Sequence, residues 1–279
     1  MLHADAGLVS GAPHLRYSGG MARKGTIQGK LLYEVYEYRL LRSLNRDRLP
    51  RHIGVILDGN RRWARAFGSS PAEGHKAGGH KVLEFLGWAD EVETEVVTLW
   101  MLSTDNLGRD PEELTELLAI ISETVDQIVA TGRYRVKIVG ATSLLPEESA
   151  RRLLEAAERT HGFEGAMQVN VAVGYGGRHE LVDAVRSLLN EAEEEGLSAG
   201  DVADKLSVED ITEHLYTRGQ PDPDLIIRTS GEQRLSGFLL WQSAHSEYYF
   251  CETFWPDFRK VDFLRALRTF TQRERRLGR

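Results

Sequence analysis

The chain has 279 residues, 41% hydrophobic and 28% charged, with 35 basic against 42 acidic side chains for a formal charge of −7. That is enough for one sizeable α/β domain; it is too long for a peptide-sized scaffold and too apolar for a disordered chain, and its acidity argues against a general nucleic-acid binder. A single cysteine, Cys251, permits neither an internal disulfide nor a cysteine-rich metal site; it fits a reducing, cytoplasmic setting and is expected to be a small buried hydrophobe.

Residues 1–28 are rich in Gly, Ala and Ser and lack the continuous apolar segment of a secretory signal, so they are read as a flexible tail, with Met21 as an alternative start and the domain proper over 29–279. Over 30–45, Leu32, Val35, Tyr36, Leu40 and Leu44 fall near helical spacing, and Arg39, Arg42, Arg46, Arg48 and Arg51 gather toward the end. The favoured reading is a helix packed on the domain; a weak foothold on anionic lipid is the alternative. After Pro50, short apolar runs at 53–57, 96–102, 136–139, 169–173, 225–227 and 248–251 alternate with longer helical patterns. This alternation predicts a single α/β domain with a six-stranded, mainly parallel sheet flanked by helices. Helices are expected near 74–92, 111–130, 147–160 and 177–195, with a broken acidic pair over 199–216 and a last helix over 261–275. No apolar run approaches the roughly 18 residues of a membrane span, and no internal repeat or long linker divides the chain.

Ligands of open parallel sheets gather at the carboxyl ends of the strands, so the residues after each apolar run carry the functional signal. Here they read Asp58-Gly59-Asn60-Arg61-Arg62-Trp63, then Ser103 through Arg109, then Gly174-Tyr175-Gly176-Gly177-Arg178, then Arg228 through Ser236. Glycine turns and arginine forks of this kind are a phosphate-binding inventory. Asp58 is the odd member, because a carboxylate beside a phosphate repels it unless a hard cation lies between, which points to a magnesium–diphosphate site. A cap on the following helix is the alternative role for Asp58. No GxxxxGK[ST] loop, GxGxxG turn, HExxH or Cys/His cluster occurs, which removes the standard nucleotide cradles and catalytic zinc. His75 follows the Asp58 loop and is either an ordinary surface histidine or part of the site. The apolar stripe of Val82, Leu83, Phe85, Leu86 and Trp88, with the 97–102 strand, is expected to be core, or else the wall of a cleft for an amphiphilic substrate.

The blocks HIGVILDGNRRWA (52–64), GHKAG (74–78), LSTDNLGRDPEE (102–113), VNVAVGYGGRHELVDAVR (169–186) and DLIIRTSGEQRLSGFLLWQSAHSEYYF (224–250), with WPDF (255–258), closely resemble the cis-prenyltransferases, or Z-isoprenyl diphosphate synthases, the family of undecaprenyl diphosphate synthase. The resemblance runs in order over more than four-fifths of the chain. It implies a homodimer, no nucleic acid, at most peripheral membrane contact, and a Mg²⁺-dependent site at one end of an apolar tunnel, joining isopentenyl diphosphate to an allylic diphosphate with a new cis double bond. On the matching positions, Asp58 becomes the magnesium and diphosphate aspartate, and Glu247 an acidic residue of the metal site. Gly59, Asn60, Arg61, Arg62 and Trp63 form the allylic diphosphate cradle, and Arg228, Arg234 and Ser236 the isopentenyl diphosphate binders. His75, Ser103 and Asn106 belong to the network around the reacting groups, Arg109 closes the second motif, and Arg276 and Gly278 match a tail that reaches across the dimer.

Three departures shape the expected product. Asp105 and Leu107 stand where long-chain members carry Glu and Trp, and Pro71 replaces an arginine whose contact falls to Arg65 or is lost. Met101 stands where long-chain synthases carry a small residue, so it is expected to block the tunnel early. The product expected is a short Z-prenyl diphosphate, C15 first, from geranyl or dimethylallyl diphosphate. The alternatives are a longer-chain polyprenyl synthase, a head-to-middle lavandulyl-type enzyme, a non-catalytic accessory subunit and a phosphate-ester hydrolase.

Overall fold

The computed structural model describes residues 27–163 and 165–273. The expected tail therefore lies outside the described residues except for its last two positions, and so do Arg276 and Gly278. In chain order the elements are α1 (Ile27–Ser43), β1 (His52–Ile56), α2 (Asn60–Ala66), α3 (Pro71–Glu91), β2 (Val96–Ser103), α4 (Pro111–Ala130), β3 (Tyr134–Val139) and α5 (Glu147–Glu158). There follow β4 (Met167–Tyr175), α6 (Gly177–Glu194), α7 (Ala199–Lys205), α8 (Val208–Glu213), β5 (Leu225–Arg228), β6 (Glu247–Phe250) and α9 (Lys260–Gln272). Cap chemistry explains the sharpest helix starts. Ser70 and Glu73 form a capping box with Pro71 at the first position of α3, and Asp110 accepts the amides of Glu112 and Glu113 ahead of α4.

The six strands form one sheet in the order β3-β4-β2-β1-β5-β6, every pair parallel. The mainly parallel sheet of the sequence reading is thus wholly parallel. All five residues of β1 are buried, as the centre of a parallel sheet covered on both faces requires. On one face Ile53, Val55, Val97 and Leu99 meet Val82, Phe85 and Leu86 of α3, Leu118 and Val125 of α4, and Phe263 of α9. Val82, Phe85 and Leu86 are fully buried there, so most of the apolar stripe is core rather than cleft. The other face packs Trp100 against Phe238 with ring centroids 5.1 Å apart, Tyr175 edge-on. α1 packs on α9 with Leu40, and Leu44 just after the helix, buried, and Lys260 of α9 bonds Glu37 at 2.8 Å, in line with the packing reading of that helix. Cys251 is half-buried at the edge of the core, more open than expected. No described helix is long and apolar enough to cross a membrane.

Strand order also fixes where a ligand can sit. The chain leaves β1 toward β2 on one side and later returns to place β5 on the other, so a crevice opens where the order reverses, beyond the carboxyl ends of these three strands.

At the opposite end the sheet is tied by a buried polar network. His52, 1% exposed, donates from Nδ1 to the Pro221 carbonyl at 2.7 Å, because a carbonyl can only accept; its Nε2 then accepts from Thr98 Oγ1 at 2.8 Å. Thr98 Oγ1 accepts in turn from Asn170, which exchanges hydrogen bonds with Gln220. Burial lowers the His52 pKa from 6.5 to about 4. The folded protein keeps the ring neutral while the unfolded chain takes up a proton. This stabilisation is complete above about pH 6.5 and is lost as pH falls toward 4, a change on the order of 3 kcal/mol. Urea denaturation across that window is expected to show stability declining with acid. In His52→Gln, which cannot titrate, the decline should be shallower although the variant is weaker near neutrality.

Candidate active site

After β1 the chain turns at Gly59, whose φ of 109° is left-handed and whose missing Cβ would otherwise lie 2.7 Å from the Phe254 ring. The turn starts α2 and leaves Asp58 facing the crevice. Asp58 does not cap α2, since Gly59 occupies the cap position and the carboxylate is engaged elsewhere. Arg228 Nη2 donates to Asp58 Oδ2 at 2.9 Å and Arg62 Nη2 to Oδ1 at 3.1 Å. Burial alone would raise the Asp58 pKa, but the Arg228 hydrogen bond and the Arg62 charge outweigh it and hold the carboxyl below its usual range. Thr229 locks β5 to β1 from below, its hydroxyl accepting the Asp58 amide at 3.0 Å and donating to the Asp58 carbonyl at 2.7 Å.

The end of β5 and the loop after it bring Arg228, Ser230, Glu232, Arg234 and Ser236 to the same rim. Arg228 Nη1 donates to Ser236 Oγ at 3.2 Å, Arg62 to Ser230 Oγ at 2.7 Å, and Arg234 pairs with Glu232. Within this loop Ser230, Ser236 and Leu239 adopt φ values of 78°, 53° and 45°, a cluster of left-handed non-glycine residues that the surroundings must enforce. The enforcement is visible. The amides of Ser230 and Gly231 donate to the Thr253 and Cys251 carbonyls, and the Gly177 amide of α6 donates to Gly237. Buried Glu180 accepts from Tyr175, Gln242 and the Tyr216 amide.

On the β2 side Ser103 caps the following turn through the Asn106 amide at 3.2 Å, and Arg109 reaches Asn106 Oδ1 and Glu113 Oε1, both at 3.1 Å. Glu113 also faces Arg61 at 3.4 Å. His75 enters from α3 with Nε2 buried and without a hydrogen-bond partner among the described residues, as is Asn60 Oδ1. Burial first, then the charges of Arg109 and Arg61, lowers the His75 pKa to about 4, so the ring is neutral near pH 7.

These segments line a cleft of about 550 Å³ whose wall holds six arginines, Arg61, Arg62, Arg65, Arg109, Arg228 and Arg234, against three carboxylates, Asp58, Asp105 and Glu232. The balance is cationic although the whole chain is not, which suits a ligand with more than one negative charge. Among the described residues no three His, Cys, Asp or Glu side chains converge on one metal position. Asp58 alone, facing a cleft of phosphate-binding groups, fits a hard cation shared with ligand phosphates rather than an all-protein cage.

Most of the expected site residues meet here: Asp58, Gly59, Asn60, Arg61, Arg62, His75, Met101, Ser103, Asn106, Arg109, Arg228, Arg234 and Ser236 all line the cleft. Arg65 lines it too, whereas Pro71 is spent on starting α3. Two expected members do not join them. Trp63 is not on the cleft wall; its ring lies against Phe67 at 4.9 Å. Glu247 opens β6 in register with Leu225 and Ile53, and it pairs with Arg273. It thus stands at the amino end of the strands, five residues or about 16 Å along the sheet from Asp58, too far to share a metal ion with it within one chain. The Gly176-Gly177 turn also lies off the cleft, one strand beyond β2, where it seats the loop after β5. Glu113 carries no motif signal as a site residue, yet it stands four residues after Arg109 on the first turn of α4, a spacing that brings the pair together.

Next to the cleft, sharing Leu57, Asn60, His75, Met101 and Leu117 with it, lies a side pocket of about 30 Å³. Leu57, Val82, Leu117, Ile120, Ile121 and Trp255 give it apolar walls. This is room for little more than a water molecule.

The undecaprenyl diphosphate synthase family model matches residues 56–278. The (2Z,6E)-farnesyl diphosphate synthase of Thermobifida fusca is 61% identical over 248 residues, 88% of this chain and 97% of that protein. Isoprenyl transferase 1 of Streptomyces avermitilis is 58% identical over 249 residues, 89% and 96% of the two chains. Among solved structures, lavandulyl diphosphate synthase from Lavandula x intermedia, in complex with dimethylallyl diphosphate, aligns with a TM-score of 0.77 at 32% identity, over 84% of this chain and 100% of that one.

Isotope-edited NMR of the ligand-free protein is expected to show His75 neutral from about pH 8 down to about pH 5, with protonation centred near 4. Arg109→Gln, which removes a repelling charge, should move that midpoint upward.

Proposed function

The chain belongs to the undecaprenyl diphosphate synthase family of prenyltransferases, and from that premise we propose that it is a short-chain member. It condenses isopentenyl diphosphate with geranyl or dimethylallyl diphosphate, and its principal product is (2Z,6E)-farnesyl diphosphate. The observation that carries the chain length is the small size of the side pocket that Met101 lines, about 30 Å³. The 61% identity to a (2Z,6E)-farnesyl diphosphate synthase supports the same reading. A prenyl tail lengthened unit by unit must advance into that space, and packed Leu117, Ile120 and Val82 resist it.

In this proposal the allylic diphosphate is held by Arg61, Arg62, the Gly59 turn and Asn60, and isopentenyl diphosphate by Arg228, Arg234 and Ser236. Mg²⁺ bound with Asp58 and the substrate phosphates would neutralise negative charge on the diphosphates. Cleavage of the allylic C–O bond builds charge on the leaving diphosphate, and donors already fixed by their own hydrogen bonds stabilise that charge without further reorganisation. Arg62 and Arg228 are such donors, because Ser230 and Ser236 orient them before any ligand arrives. The isopentenyl double bond then attacks the allylic carbon to form the C–C bond as the allylic diphosphate departs, and isopentenyl C2 gives up a proton, which a diphosphate oxygen can accept, to form the new double bond. His75, neutral and with a free Nε2, can take part in hydrogen bonding there but carries no positive charge to repel the developing carbocation.

A homodimer with Arg276 and Gly278 reaching the partner's isopentenyl site, and a cytoplasmic location, are further proposals resting on the resemblance. A second reading is head-to-middle joining of two dimethylallyl units, favoured by the likeness to the lavandulyl diphosphate synthase.

Incubation with Mg²⁺, labelled isopentenyl diphosphate and geranyl diphosphate is expected to give a C15 product; product from dimethylallyl diphosphate alone would favour the second reading, and chains of about ten units would overturn the short-chain one. Asp58→Asn keeps an acceptor for Arg228 and should remain folded by circular dichroism, yet lose about 100-fold or more in kcat. Met101→Ala enlarges the side pocket and should shift the product to longer chains, read by chromatography after dephosphorylation.

A further inference from the structure

The side pocket that Met101 lines shares part of its wall with a second space. Ile120 and Thr124 of α4 line the pocket, and the same two residues line the second space, of about 170 Å³ on the outer side of the α3–α4 pair, edged by Lys76, His80, Glu123 and Gln127. Gly79 of α3 faces Thr124 across the seam, and the fit is tight: a Cβ on Gly79 would lie 2.5 Å from Thr124 Oγ1. Thr124 is 4% exposed and its hydroxyl donates to the Ile120 carbonyl at 2.8 Å, which fixes the side chain across the gap.

We propose that Thr124, backed by Ile120 and closed against Gly79, is a second end-stop for the growing prenyl chain, placed behind Met101 and sealing a passage between α3 and α4 that would otherwise carry the cleft through to the protein surface. The inference rests on the prenyl-transfer reading above. A chain growing away from the diphosphate cleft runs past Met101 into the apolar side pocket, and the next obstacle is this wall. The glycine is what lets the two helices approach closely enough for a threonine to span the seam. With a smaller residue at 124, the side pocket and the outer space would join.

Two stops in series have a signature that two independent wall residues do not. Removing the inner stop alone changes nothing, because the chain never reaches it; removing both lets the chain pass beyond the point where removal of the first leaves it. The test compares the wild type, Met101→Ala, Thr124→Ala and the double variant with Mg²⁺, labelled isopentenyl diphosphate and geranyl diphosphate. Thr124→Ala should give the wild-type product length, and the double variant a main product at least one isoprene unit longer than that of Met101→Ala. Thr124→Val keeps the bulk and loses the hydroxyl, so in the Met101→Ala background it should leave the product of that single variant unchanged. If the double variant does not fold, Thr124→Ser in the same background trims one methyl from the wall and must still lengthen the product. A double variant that matches Met101→Ala, a lengthened product from Thr124→Ala alone, or equal lengthening by Thr124→Val overturns the second stop while leaving prenyl transfer intact. Absence of any condensation by the wild type overturns the prenyl-transfer reading itself, and this inference with it.

Discussion

A carboxylate held between two guanidinium groups organises the crevice. Asp58 joins the end of β1 to Arg228 at the end of β5 and to Arg62 on the first helix of the site, so one side chain sets the relative position of three segments. The interaction is asymmetric. Arg228 is 5% exposed, so its buried charge calls for an anionic partner, whereas Asp58 faces the cleft. In the proposed reaction an arriving diphosphate would offer the arginines an alternative partner and leave the aspartate needing one. A divalent cation would supply it, which would link occupancy by the anion to occupancy by the metal through a contact present before either arrives.

The sheet makes that contact possible. Strand order opens the crevice at β1, β2 and β5 and places the His52–Thr98–Asn170–Gln220 network at the far end, so the groups that hold the strands together are separate from those that face the ligand. The helices contribute differently. α3 and α4 give most of their apolar residues to the core, and only a few at the seam, Val82, Leu117, Ile120 and Thr124 among them, decide how much space lies behind the cleft.

The architecture was legible because buried parallel strands read as short apolar runs and helices as longer periodic ones, and because the helix at 111–130 carries its own start signal, Asp110-Pro111-Glu112-Glu113. Most of the site followed from looking just after each run. The same rule, applied strictly, also warns against Glu247, which stands before its run and therefore at the wrong end of a parallel strand. The Gly176-Gly177 turn stands after its run yet off the cleft, because sequence does not say that β4 lies one strand too far out. Whether apolar residues near the cleft form a tunnel or a closed pocket depends on fractions of an ångström between two helices. Periodicity carries no such information.

The left-handed backbone at Ser230, Ser236 and Leu239 bears on which substitutions this protein can accept. At Ser236, which is exposed yet accepts from Arg228, a valine or isoleucine would oppose the backbone as well as lose that acceptor, and a glycine would fit the backbone but free the loop in the unfolded chain. Natural variation at such a position is filtered by dihedral angle before chemistry is consulted. A harmful exposed substitution in this loop therefore need not mean that a ligand contact has been lost.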